Sequence, residues 1–381
     1  MFEKTTSKKR IKYRSNPKKD QFMKVLRTRV WDYFKENNIS KKANGEMYFK
    51  TVLAIVSWLG LYALIMSNFF SFSYLATIGA FCLLGFINIF MAFNIVHDAC
   101  HDAYFESKKA NKYMGLFMNF IGGNAYLFTR MHNAHHQFVN IHGSDVTLET
   151  HGLFRFTPDE PWQPKHKWQH IYTPIVYCLA SFHWTAVKDF KWFFMEEHIG
   201  NKKDIKHPRS EFWTLIITKF VYFSLHLFLP MALLAVPWWV VFAGYVMLHL
   251  PSSLMFALVF QVTHIYEGTT FPLPDDEGNI ENNYAVHVLE TTADFSRSNP
   301  IANWFFGCIN VHSIHHIMPG ICHVHYPELT KILKATAEEF GLEYKESKTF
   351  WIAFKRHIHM LKTLSNQEAK IPRVGNSVNL V

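Results

Sequence analysis

Charge is what this 381-residue chain has least of: Asp, Glu, Lys and Arg make up 18 % of it, against 49 % hydrophobic residues and 17 % aromatics. That is too little charge for a disordered chain, and too little for an ordinary water-facing surface on this scale. Cysteine is scarce as well. Cys82, Cys100, Cys178, Cys308 and Cys322 are odd in number and scattered, and none stands in a CxxC pair. A disulfide framework or a thiolate zinc site is therefore not expected. No cleavable signal peptide is visible, because the N-terminus is polar and basic (Lys8, Lys9, Arg10, Lys12, Arg14, Lys18, Lys19) and no apolar core follows for tens of residues. There is no repeat of fixed period and no low-complexity tract. The excess of 39 Lys and Arg over 30 Asp and Glu suits nucleic acid or an anionic membrane surface. The apolar runs decide for the membrane and against nucleic acid.

Spanning a bilayer takes about 20 mostly apolar residues. Four runs qualify, at about 52–70, 72–95, 212–236 and 238–263. The links within each pair are short, so two hairpins are expected. Arms 1–50, 97–212 and 264–381 hold 15, 13 and 10 Lys and Arg, and the two tight links hold none. The positive-inside rule then puts both termini and the long middle segment in the cytoplasm. The expected fold is an all-α integral membrane protein: four transmembrane helices in two hairpins, with a cytosolic helical cap holding a metal site. Lys219 is the one cation within a run, placed where it can snorkel to the surface. Runs 115–129 and 171–187 are too short or too polar to span, and read as interfacial or re-entrant helices. By domain, 1–46 is a basic cytosolic arm with an amphipathic helix around 24–36, 47–345 the membrane domain, and 346–381 a C-terminal helix and tail, frayed from 366. Residues 275–283 read as a polar turn.

Histidine, the commonest metal ligand, occurs 23 times. Three clusters stand out: His97-Asp-Ala-Cys-His101, His132-Asn-Ala-His135-His136 and His312-Ser-Ile-His315-His316. Residues three and four apart share a helix face, so each cluster can aim two or three nitrogens at one volume. Imidazole suits iron, zinc, copper and nickel, and eight nitrogens are too many for one zinc but sensible for two metals. Topology adds an independent argument. His97 follows the second run and His264 follows the fourth, both on the cytosolic side with all three clusters. A lone histidine is usually a packed or surface side chain, and that reading is kept for His142, His151, His166, His170, His183, His198, His207, His287, His357 and His359. His323 and His325 form an HxH, read as hydrogen-bonding or packing in preference to an extra metal site. His226 and His249 lie inside runs and must face the bundle or line a cavity. Carboxylates that could orient ligand imidazoles are Asp98, Asp102, Asp145, Glu196, Glu290 and Asp294, with Asp98 and Asp145 preferred and solvated loop charges as the bland alternative.

An all-histidine dimetal site at a membrane surface suits oxygen activation on a lipid-like molecule. Iron fits O2 chemistry on inert C–H bonds, whereas zinc has no redox function. Spacing does not choose between desaturation and hydroxylation, since positioning of the alkyl chain decides the outcome.

These residues resemble the membrane fatty acid desaturase family over about residues 45–345: three boxes in order, paired apolar hairpins and a lone histidine. The resemblance implies a di-iron, non-haem centre with O2 as co-substrate, held by His97, His101, His132, His135, His136, His264, His312, His315 and His316. In acyl-CoA members of the family an asparagine near the lone histidine binds a metal through water; here Phe260-Gln-Val-Thr263 precedes His264, leaving Gln261 as substitute. The stretch His287-Val-Leu-Glu-Thr-Thr-Ala-Asp-Phe295, then Asn303-Trp-Phe-Phe-Gly307 and His315 to Pro327, is similar to the front-end, linoleoyl-CoA-like branch. His312 departs from the glutamine usual in eukaryotic front-end enzymes. No HPGG haem motif of a fused cytochrome b5 domain occurs, so the resemblance implies a separate electron donor of ferredoxin, flavodoxin or cytochrome b5 type, docked on basic surface. The implied substrate is a fatty acyl chain on coenzyme A, acyl carrier protein or a lipid, and the implied location is the bacterial inner membrane or endoplasmic reticulum. Competing readings are a di-iron lipid hydroxylase, a carotenoid ketolase and a non-catalytic metal carrier. A carrier would place ligands along its spans, and these clusters lie outside them.

Overall fold

The computed structural model describes residues 10–194 and 206–373; Glu196 and His198 lie outside the described residues. Four helices are long and apolar enough to cross a membrane: Gly45–Met66, Tyr74–Cys100, Arg209–Leu233 and Trp238–His264. The rest is mostly short helices. Leu59, Leu75, Phe220 and Trp238 on the long helices are exposed, which suits a hydrocarbon surrounding.

The first long helix starts earlier than hydropathy alone suggests. Asn44 caps it by accepting from the Met47 N–H at 3.2 Å. Lys50, counted with the basic arm by charge, is buried in its second turn, with Nζ 3.2 Å from Glu46 Oε1 and 3.2 Å from His323 Nε2. The third long helix lies three residues earlier than expected, and the fourth differs by one, His264 being its last residue rather than the residue after it. The second and fourth long helices meet at Gly85, where an added Cβ would stand 2.1 Å from the Leu248 carbonyl oxygen. The first and second are joined by the Trp58 indole N–H donating to Asn88 Oδ1 at 2.9 Å. Lys219 does not snorkel. It is buried and donates to Asp189 Oδ2 at 2.6 Å and the Gly122 carbonyl at 2.5 Å, because a cation among apolar helices needs paired oxygens.

Neither ambiguous run makes a helix of spanning length. The first breaks into Lys108–Gly115, Phe117–Phe120 and Ala125–Gln137, and the second into Gln169–Tyr177, Ala180–His183 and Trp184–Lys188. The arm helix is longer than expected, Pro17–Glu36, with proline in the first turn where its missing N–H costs nothing. Phe22, Leu26, Val30 and Phe34 recur every four residues and are buried against Leu329, Leu333 and Ala337 of helix Tyr326–Glu339. Lys12–Tyr13 pairs in parallel with Asn279–Ile280, so the polar turn also carries a strand. Asp294–Phe295 pairs in the same way with Glu346–Ser347. Residues 366–373 are tied down rather than frayed: Arg155 donates to the Leu364 and Asn366 carbonyls, and Arg373 pairs with Asp159 at 2.6 Å.

Candidate metal centre

The first box ends the second long helix. Just before it, over Ala92–Val96, the hydrogen bonding widens to i→i+5, a feature common at functional sites. The second box lies on helix Ala125–Gln137, capped by Asn124 accepting from the Leu127 N–H at 3.0 Å. The third lies on the short helix His312–Ile317, whose start is held by Asp294, accepting from the Ser313 N–H and hydroxyl at 2.9 Å each. His264 joins them from the end of the fourth long helix.

The nine predicted histidines converge in two groups. His97, His101, His132, His136 and His315 form one, and His135, His264, His312 and His316 the other, with one nitrogen of each within 4.8 Å of the others in its group. The Nε2 atoms of His312 and His264 are 2.8 Å apart, those of His316 and His312 2.9 Å, His135 and His264 3.1 Å, and His136 and His132 3.2 Å. Two nitrogens each about 2.1 Å from one metal ion, at right angles, stand about 3 Å apart, so these spacings fit shared ions. The groups touch: the His136 and His316 rings stack with centroids 4.0 Å apart.

Hydrogen bonding alone leaves this cluster unsatisfied. Both nitrogens of His97, Nε2 of His101 and His315, and Nδ1 of His136 and His316 are buried without a hydrogen-bond partner among the described residues. Each orphan costs about 1–3 kcal/mol, which a bound cation offsets. Burial first, and mutual repulsion second, holds His132, His136, His315 and His316 well below the usual imidazole range. His101 is brought down to about 4, again by burial. The rings are thus neutral at pH 7 with lone pairs free, as metal ligation requires. The donor set fits a borderline cation such as iron.

Of the carboxylates picked from sequence, Asp294 thus meets the serine of the third box, and Asp145 a box histidine. His135 Nδ1–H donates to it, 3.0 Å from both oxygens. Burial alone would raise the Asp145 carboxyl, but His135 and Thr147 bring it below the usual range. Asp98 instead accepts from the His323 ring at 3.0 Å and its backbone N–H at 3.1 Å. Glu290 accepts from Asn282 at 2.6 Å, and Asp102 lends its backbone carbonyl to Lys42 at 2.6 Å. Asp98, Cys322 and His323 do cluster within 4.8 Å, but the Lys50 ammonium against His323 stands where a cation would be repelled. The hydrogen-bonding reading of His323 therefore holds, and His325 likewise donates to the Lys42 carbonyl at 3.2 Å.

Several supports were invisible in the sequence. Thr147 donates its hydroxyl to Asp145 at 2.7 Å. Asn140 gives its backbone N–H to Asp145 at 2.9 Å, and its side chain ties together the His264, Thr270 and Thr291 carbonyls. His312 Nδ1–H donates to the Ile309 carbonyl at 2.9 Å, which turns Nε2 toward the centre. The Tyr326 hydroxyl lies 3.3 Å from His315 Nδ1. The spare histidines His166, His287 and His357 donate to the Gly152, Val139 and Ile265 carbonyls. His226 packs in the bundle, whereas His249 lines a cavity.

A cavity of about 120 Å³ opens against the histidines, lined by His132, His135, His264, Phe260, Gln261, Lys188 and Trp184 among others. A deeper one of about 70 Å³ shares Trp184 and Phe256 with it and continues between the second and fourth long helices to Asn88, His249 and Ser252.

Known proteins share this pattern. The fatty acid desaturase family model matches residues 72–348. An sn-1 linoleoyl-lipid 6-desaturase of Synechocystis sp. is 30 % identical over 93 % of this chain and 98 % of its own length. A protein of the same description from Arthrospira platensis is 32 % identical over 92 % of this chain and 94 % of its own. An acyl-lipid (8-3)-desaturase of Physcomitrium patens is 28 % identical over 92 % and 73 %. With the histidine boxes, the apolar helices and the lengthwise match in agreement, this chain belongs to the fatty acid desaturase family and is an oxidoreductase of that kind.

Proposed function

We propose that the nine histidines hold two iron ions, one in each group, and that the enzyme uses O2 to place a double bond in the acyl chain of a membrane glycerolipid, on the carboxyl side of existing double bonds. The observation that supports this most is the pair of histidine groups, with nitrogens 2.8–3.2 Å apart, set against an apolar cavity. Bound iron supplies the oxygen-activating redox chemistry. The conversion takes O2, two electrons and two protons, and turns –CH2–CH2– into –CH=CH– with two waters released. The chain's own residues do the positioning. Phe128, Leu148, Phe260 and Ile265 offer alkyl contact and exclude water beside the ligands. Asp145 and the Ile309 carbonyl fix the His135 and His312 rings.

The lipid-desaturase descriptions of the relatives favour a glycerolipid over a soluble thioester, and their 6- and 8-3 positions favour front-end chemistry, as does the stretch 287–327. Charge distribution supports both termini and the boxes on the cytoplasmic side, with the long helices as two hairpins and the short helices as a cap. Electrons then come from a separate ferredoxin, flavodoxin or cytochrome b5-type protein.

The test is the fatty acid profile of a bacterial host expressing the protein and fed linoleate, beside a His315→Ala control. A new double bond nearer the carboxyl end, absent in the control, is expected. A hydroxylated product would move the assignment to a lipid hydroxylase. No new product together with no bound iron would sink the di-iron reading.

A further inference from the structure

Lys188 closes a wide helical turn, Trp184–Lys188, where the hydrogen bonds again run i→i+5. Such a turn carries one extra residue and re-aims the side chains that follow it. Lys188 lines the same 120 Å³ cavity as His132, His135 and His264. Its Nζ lies 4.9 Å from the Trp184 ring and 4.3 Å from the Trp192 ring, both cation–π contacts. Among the described residues Nζ makes no hydrogen bond or ion pair, since the adjacent Asp189 is taken by Lys219. Burial pulls the ammonium down to about 8, which still leaves it charged at neutral pH. Setting the histidines aside, it is the one charged side chain among the described residues lining this cavity.

A ring series leads from it to the metal ligands. Trp184 lies 5.8 Å from Phe128, and Phe128 stacks on His132 at 5.1 Å. On the far side, Trp184 faces Phe256 at 5.4 Å where the deeper cavity begins. A cation with ring faces beneath it and free N–H donors thus stands at a fixed remove from the histidines, in a wall that is otherwise mostly apolar.

An acyl chain carries one strong acceptor, its carbonyl oxygen; the rest is hydrocarbon. A double bond counted from the carboxyl end requires that acceptor to be held at a constant distance from the oxidised carbons. We infer that Lys188 is the positioning residue that does this, its ammonium donating to the ester carbonyl of the bound lipid while the methyl end runs past Trp184 and Phe256 into the deeper cavity. The inference rests on the desaturase reading above.

The experiment compares the wild type with Lys188→Met and Lys188→Arg in one host, locating the double bond by mass spectrometry and recording iron content and melting temperature. The same linoleoyl chain is supplied on phosphatidylglycerol and on phosphate-free galactosyl diacylglycerol. Lys188→Met is expected to lower kcat/KM about 10-fold or more, mainly through KM, and to spread the product over neighbouring positions, equally on both lipids, with iron content unchanged. Lys188→Arg should restore a single position. A single unshifted product with unchanged KM would overturn the inference. A loss confined to phosphatidylglycerol would overturn it too, by showing that the lysine reads phosphate. If the methionine variant loses iron, Lys188→Gln is read by the same criteria. A wild type that forms no double bond would count against the desaturase reading instead.

Discussion

Asp98 and Asp145 each follow a box histidine in the sequence, yet of the two only Asp145 hydrogen-bonds a box ring. Consecutive residues on a helix point about 100° apart, so Asp98, directly after His97, is turned away from the centre and onto His323. Asp145 lies beyond its helix, on a loop that folds back, and proximity in sequence does not reveal that. Eight of the clustered histidines were legible because helical spacing groups them, and His264 because it stands at the end of the fourth apolar run; their supports were not, because Asn140 and Tyr326 act across contacts set by packing. Asp145→Ala should therefore lower iron affinity about 10- to 100-fold while leaving the helical content unchanged. Iron per protein after dialysis against a chelator, with circular dichroism as control, checks this. Asp98→Ala should disturb His323 and spare iron binding.

Two histidines away from the centre set a pH response. Burial lowers His287 and His357 to about 4, only partly opposed by their bonds to backbone carbonyls. Their unfolded value is near 6.5, so the unfolded chain binds the extra protons first as pH falls. Stability is then complete above about 6.5 and declines from there toward 4, by up to roughly 3 kcal/mol for each ring. The melting temperature in detergent should fall between pH 7 and 5, and the fall should be shallower in a His287→Gln, His357→Gln double variant.

At the level of elements, hydropathy located the four long helices, because a run of some 20 apolar residues has few other uses. It missed the start of the first, where Lys50 is buried by contacts from residue 323, and it mistook Lys219 for a surface cation because Asp189 lies 30 residues away. Three i→i+5 turns, before His97, at Lys188 and over Ser224–Phe228, left no signal, since they are written in packing and not in composition. The close crossing at Gly85 gives a sharp expectation. Gly85→Ala forces a methyl group against the Leu248 backbone carbonyl, which cannot retreat without parting two helices. It should cost about 1–3 kcal/mol or more and depress the yield of folded protein. Gly79→Ala, with nothing within 4 Å, should be neutral or slightly stabilising in the same melting assay.

On the scale of the whole molecule, four histidine-bearing segments far apart in the chain close one centre, so the enzyme cannot be divided. The net charge of +9 belongs to this scale too. If a soluble acidic donor delivers the electrons, its encounter rate with the enzyme should fall steeply between about 50 and 500 mM salt, as steered association does. Stopped-flow reduction of the centre across that range checks it, and a flat response would exclude charge-guided docking.

The parallel pairing of Lys12–Tyr13 with Asn279–Ile280 bears on the order of biosynthesis. The Tyr13 hydroxyl donates to the Gln137 carbonyl beside the second box, at 2.7 Å. A ribosome delivers that tyrosine early and its strand partner late, after the fourth long helix is already made. The strand at 12–13 therefore waits unpaired while all four long helices are made, and its latch beside the second box can close only shortly before the last histidines, at 312, 315 and 316, are translated.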